Sequence, residues 1–245
     1  MKDRRGQVTI FIIVGILIVA AIVVFFLYVK PKIDLQGTKR IGFEGCVEDA
    51  TLLAIGELGK SGGVNNPEFT YKYIDEDYTY LCYTNEFFKT CTVQVPFLKQ
   101  TFERELEKKI KDPVETCYSN AVSELKSQGY DVVSGKVDYN VSVDIGTVSV
   151  KIDAPTRVGS GSFARFNVVI DSPIYEMLML ATSVMEYEVS YGDSDLDTIR
   201  LLYPDFTLKK IKRGDSTKIY VVGSKISGDE FRFASKSLVW PVGYN

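Results

Sequence analysis

The sequence predicts an α+β protein, an N-terminal transmembrane helix followed by a body of antiparallel sheet and amphipathic helices. Three observations predict it. Residues 8–29 run without a charge between a basic leader and Lys30-Pro31-Lys32. Apolar residues then recur at three- and four-residue spacing over 43–58 and 98–125, the period of a helix face. Over much of 129–245 they alternate with polar residues between glycine-bearing turns, the period of a strand.

The composition excludes several classes. The chain has 245 residues, enough beyond the apolar run for one large domain or two small ones with a real core. At 25% charged and 45% hydrophobic residues it is neither a disordered chain nor a polytopic membrane protein. The net charge is −3 with basic residues in the leader, so the body is mildly acidic and nucleic acid is not an expected partner. Histidine is absent, which removes an imidazole base, His-ligated metal and the usual hydrolase triads.

In chain order, the leader comes first. Lys2, Arg4 and Arg5 precede the apolar run, so the N-terminus is expected in the cytoplasm and the body outside the cell. At about 1.5 Å per residue the run is roughly 33 Å long, against a hydrocarbon core of about 30 Å. It is about twice the length of a secretory signal core, and no A-x-A site follows it.

Arg4-Arg5-Gly6-Gln7-Val8-Thr9-Ile10-Phe11 resembles the class III signal peptide of archaeal type IV pilin-like proteins. The shared features are a short basic leader, Gly then Gln at a cleavage junction, a hydroxyl residue two further on and a long apolar helix. The resemblance implies cleavage between Gly6 and Gln7 by a prepilin peptidase and use of the apolar helix as a filament core. It departs from the family at Phe11, where those proteins usually carry Glu; some pilin-like proteins that lack this Glu are minor subunits or not filament subunits at all. An uncleaved signal anchor reads the same residues. The resemblance is limited to residues 4–29; the body resembles no named family.

The next element is a helix. Phe43, Cys46, Val47, Ala50, Leu53, Ala54 and Leu58 form its apolar face, and Lys60-Ser61-Gly62-Gly63 ends it. Residues 69–73, 78–83 and 87–95 read as strands, with a hairpin centred between Glu86 and Phe87 that sets Cys82 opposite Cys91. The tyrosines here fit packing across a half-buried sheet better than a binding platform. Pro96 opens a helix with Leu98, Phe102, Leu106 and Ile110 inward. Asp112-Pro113 restarts it, with Val114, Cys117, Tyr118, Ala121 and Leu125 as the new face.

Past Gly129, residues 137–145 and 148–152 form a hairpin turning at Gly146, and 166–170 add a strand. Ser172-Pro173 caps a helix facing inward with Ile174, Met177, Leu178, Ala181, Val184 and Met185. A short helix over 195–203 and strands over 206–212, 218–222 and 230–234 complete the chain. The body thus divides into 33–128, a helix-hairpin-helix block with every cysteine, and 129–245, a β-rich α+β block expected to pack on it.

Cys46, Cys82, Cys91 and Cys117 are an even set in a chain expected to be exported, which points to two disulfides. Buried free thiols are the alternative, and the spacings supply no close C-x-x-C pairs for zinc. Of three connectivities, Cys82 with Cys91 across the hairpin and Cys46 with Cys117 between two helices fit the elements best.

Candidate chemistry is sparse. Asp193, Asp195 and Asp197 alternate as in a calcium loop, but Thr198 and Pro204 stand where an EF-hand needs glycine and a bidentate acid. Helix N-capping explains the same acids, and calcium is the one cofactor left open. Asp75-Glu76-Asp77 reads as a solvated turn. Asn140-Val141-Ser142 is an N-glycosylation sequon. No G-x-S-x-G, P-loop or Rossmann pattern is present and no catalytic residue stands out.

The favoured function is therefore a structural, adhesive or surface-assembly role and not an enzyme. The expected partners are the lipid bilayer, copies of the chain in an oligomer or filament, and other surface proteins. The alternative is a membrane-tethered ligand-binding domain or carboxylate-dependent enzyme.

Overall fold

The computed structural model describes residues 42–239. The leader with Gly6 and Gln7, the position Phe11 and the expected transmembrane stretch 8–29 lie outside the described residues. Among the described residues no helix is long and apolar enough to cross a membrane. This corrects the expected fold class: what is described is an α+β body of helices and two sheets without a transmembrane helix. The physical reason is that the three longer helices each carry three or more charged residues, and the fourth has only 7 residues, too few to cross a bilayer.

The first helix, α1 (Phe43–Lys60), is followed by β1 (Thr70–Tyr73), β2 (Glu76–Tyr83) and the short β3 (Thr92–Val93). Then come α2 (Leu98–Ser127), β4 (Val132–Ser134), β5 (Asp138–Asp144), β6 (Thr147–Val158) and β7 (Gly161–Asp171). The last are α3 (Ile174–Tyr191), α4 (Leu196–Leu202), β8 (Phe206–Lys212), β9 (Thr217–Ser224) and β10 (Glu230–Lys236).

One sheet runs β1-β2-β10-β9-β8, with β3 paired to the far end of β2. The expected all-antiparallel sheet is corrected here, because β2 and β10 pair parallel, Tyr80 beside Ala234 and Tyr83 beside Lys236. The two blocks on either side of Gly129 therefore share one sheet. In the other sheet β6 pairs along its length with β7, while β5 and β4 pair with successive parts of β6.

Packing of α1 and α2 against these sheets builds the main core, with Leu58, Phe102, Leu106, Ile152, Tyr220 and Phe233 among its buried side chains. Two helix expectations change. The buried stripe of α1 is Val47, Thr51, Ala54, Ile55 and Leu58, so the face is rotated from the expected one and Leu53 is 71% exposed. Thr51 can take a core position because its hydroxyl donates to the Val47 carbonyl at 2.7 Å. Gly59 admits β10 closely, since a Cβ there would stand 2.6 Å from the Glu230 carbonyl oxygen.

The second change is that α2 does not restart at Asp112; Pro113 lies inside one continuous helix. Phe102, Leu106, Ile110, Val114 and Cys117 are all buried on one stripe, so packing against α1 outweighs the hydrogen bond that proline removes.

Candidate functional site

Among the described residues, the connection between β2 and α2 presents the most exposed phenylalanines. Phe87, Phe88 and Phe97 are 63%, 75% and 79% exposed. Phe88 and Phe97 also hold positive φ, 61° and 52°. Bulky residues rarely adopt that left-handed conformation, and it costs on the order of 1 kcal/mol or more at each.

What holds the segment in place is a set of named contacts. Cys82 is bonded to Cys91. The Phe88 N–H donates to the Leu238 carbonyl at 2.6 Å, and the Leu238 N–H donates to the Lys89 carbonyl at 3.0 Å. The Cys91 N–H donates to Ser237 Oγ at 3.0 Å. These bonds also explain a register correction. Cys82 stands opposite Val93, not Cys91, because residues 88–91 turn aside to pair with the chain just after β10. The expected hairpin centred between Glu86 and Phe87 is replaced by a longer clamped connection.

Two cavities flank Phe97. One, of about 510 Å³, is lined by Val64, Val95, Phe97, Arg104 and Glu105. The other, of about 460 Å³, lies between Val93 and Pro96 on one side and Met185 and Val189 of α3 on the other. Glu105 is held below the usual carboxylate range: burial pushes it up, but the Lys108 ammonium at 2.8 Å and the Asn65 backbone N–H outweigh that.

Beneath this surface lies a buried polar cluster. Glu188 of α3 accepts from Lys218 Nζ at 2.8 Å, from the Tyr220 hydroxyl at 2.5 Å and from Ser235 Oγ at 2.9 Å. Lys218 also donates to the Gly192 carbonyl, and Ser194 Oγ lies 2.8 Å from the Tyr220 hydroxyl. Burial, with Glu188 beside it, raises the Tyr220 phenol far above its ordinary range. The cluster ties α3 to β9 and β10 and reaches the disulfide through Ser235, 3.6 Å from Cys91 Sγ. Both charges are removed from solvent, so the arrangement positions elements and offers no accessible acid or base.

The sequence-derived candidates distribute as follows. Cys46 is bonded to Cys117 and Cys82 to Cys91, the two pairs favoured from the sequence, and disulfides of this kind fit an oxidising, extracellular environment. Cys46 itself is exposed, not on the buried face of α1. Asn140 is exposed on β5 opposite Lys151, and Ser142 Oγ donates to Asp144.

The three acids before and within α4 are turned to separate partners. Asp193 accepts from Lys210 at 2.8 Å and Lys212 at 3.0 Å, which hold it below its usual range against the upward push of burial. Asp195 caps α4 by accepting from the Asp197 N–H, and Asp197 pairs with Arg200. Glu76 pairs with Arg232 at 2.5 Å beside the β1–β2 turn. Among the described residues no group of three or more His, Cys, Asp or Glu is arranged to hold a metal ion. Tyr78 and Tyr80 are buried with Ile219 and Ala234 in a small second core, so this part of the tyrosine ladder packs.

Sequence reasoning missed the exposed phenylalanines and the Glu188 cluster. Alternation alone places Phe87-Phe88 in a strand. Glu188 carried a usable signal, because it falls three residues after Met185 on the apolar stripe of α3. Comparison with protein-family models, with curated proteins and with solved structures finds no match for this chain.

Proposed function

We propose that this chain is an exported surface protein with a structural, adhesive or assembly role, and that its clamped phenylalanines make contacts outside the cell. The observation that carries this reading is the exposure of Phe88 and Phe97 in a costly backbone conformation that a disulfide and main-chain bonds hold in place. Strain of that kind persists where the surroundings over-determine it, and large exposed apolar side chains mark interaction surfaces. In this reading the N-terminus lies in the cytoplasm, the apolar stretch 8–29 sits at the membrane or in an assembly, and the body is outside. The pilin-like leader around Gly6-Gln7 supports the assembly variant.

Two measurements test the proposal. In the native host, a chain with Phe87, Phe88 and Phe97 all changed to Ser is expected to fold, form both disulfides and lose its cross-links to other surface molecules. Unchanged cross-links reject the reading. Mass measurement of the native N-terminus is expected to give a chain beginning at Gln7 if the pilin-like variant holds; an intact Met1 rejects that variant and leaves the surface role.

A further inference from the structure

Among the described residues, three of the four sheet margins are closed or defended. On the β5 side, α2 covers the edge: the Val143 N–H donates to Glu103 Oε1 at 2.9 Å, and the Tyr139 hydroxyl donates to the Glu107 carbonyl at 2.7 Å. The β8 edge carries Lys209, Lys210 and Lys212, like charges that oppose pairing with another strand. On the β2 side the added strands are short, four residues in β1 and two in β3. β7 is different. It has 11 residues, pairs with β6 on one side, and has no strand or helix hydrogen-bonded to its other edge among the described residues.

The exposed row of β7 is Arg165, Asn167, Val169 and Asp171, and the inward row is Phe166, Val168 and Ile170. Arg165 stands opposite Asp153 of β6 and Asp171 opposite Thr147, and among the described residues neither Arg165 nor Asp171 closes an ion pair. In an antiparallel pair, directly opposite residues lie on the same face. If β7 meets β7 of a second copy with Val168 opposite Val168, then Asn167 faces Val169, Phe166 faces Ile170 and Arg165 faces Asp171. Two-fold symmetry repeats the Arg165–Asp171 contact. Sliding the register by two residues sets Arg165 opposite a neutral side chain and loses both contacts. The inward rows would then join into one apolar face across the junction.

We propose that the β7 edge is a self-association surface, on which a second copy of this chain adds its own β7 antiparallel about Val168. This surface is separate from the phenylalanine segment, and the proposal does not rest on the role assigned there.

The test is sedimentation equilibrium of the full chain in detergent micelles, comparing wild type with Arg165→Asp, Asp171→Arg and the double charge swap. Each single change sets like charges opposite each other twice. It is expected to weaken self-association by about tenfold or more, and the double swap is expected to restore it. A second measurement uses Asn167→Cys with Val169→Cys, both at exposed positions: oxidation is expected to link position 167 of one copy to 169 of the other. A monomeric wild-type chain, association indifferent to the charge changes, or absence of the 167–169 link overturns the proposal.

Discussion

Lys218 donates to Glu188 at 2.8 Å in the interior, with Lys218 2% and Glu188 0% exposed. Taking two such charges out of water costs several kcal/mol each, and their attraction offsets this only when their remaining hydrogen-bonding groups are also satisfied. Here they are: Tyr220 and Ser235 complete the carboxylate, and the Gly192 carbonyl takes a further ammonium proton.

The first prediction follows from that closure. Glu188→Ala strands a buried ammonium and is expected to lower unfolding free energy by about 3–5 kcal/mol. Glu188→Ala combined with Lys218→Met removes both charges and is expected to cost clearly less than the single change. Denaturant unfolding of the two variants measures the difference; equal losses would show that the pair is not coupled.

The disulfides should differ in accessibility. Cys46 is exposed, whereas Cys82 and Cys91 are both buried. Mild reduction of the folded protein with alkylation and peptide mapping is expected to label Cys46 and Cys117 first. Replacing that pair by serine releases a sequence separation of 71 and is expected to cost about 4 kcal/mol in the loop-closure model, against about 2–3 kcal/mol for the shorter Cys82–Cys91 loop.

Alkaline stability is set by buried phenols. Burial pushes Tyr80 and Tyr139 each up to about 12 and raises Tyr220 further. A folded-state pKa above the unfolded value of about 10 gives stability that is whole below pH ~10 and is lost as pH rises toward 12. Absorbance titration is expected to show these phenols ionising late, together with loss of circular dichroism. Ionisation of Tyr80, Tyr139 and Tyr220 near pH 10 in the folded protein would contradict this.

Pro113 offers a gain. It sits mid-helix with no N–H for the carbonyl four residues back. Pro113→Ala is expected to stabilise the protein by about 1–3 kcal/mol and to raise its melting temperature. A lower melting temperature would mean that α2 depends on the backbone conformation proline fixes.

Most elements were legible in the sequence because their signal is local. The alternation through Val141, Val143, Val148, Val150 and Ile152 gave β5, β6 and their turn at Gly146. Asp195 marked the start of α4 by its capping chemistry. Pro113 misled because a local propensity met a continuous buried stripe, and the α1 face was misplaced because Leu53 and Thr51 exchange the environments their polarity predicts.

By itself the sequence determined the charge-free run 8–29, the segmentation of the body, its mild acidity, the lack of imidazole chemistry and the favoured cysteine pairs. Only the tertiary structure decided that β2 and β10 lie side by side and parallel, that Glu188 meets Lys218, and that Phe88 and Phe97 face solvent. The first two are contacts between residues far apart in the chain, and the third is an exposure that no local period sets. Periodicity along the chain says which face a residue occupies but not which distant element will cover it.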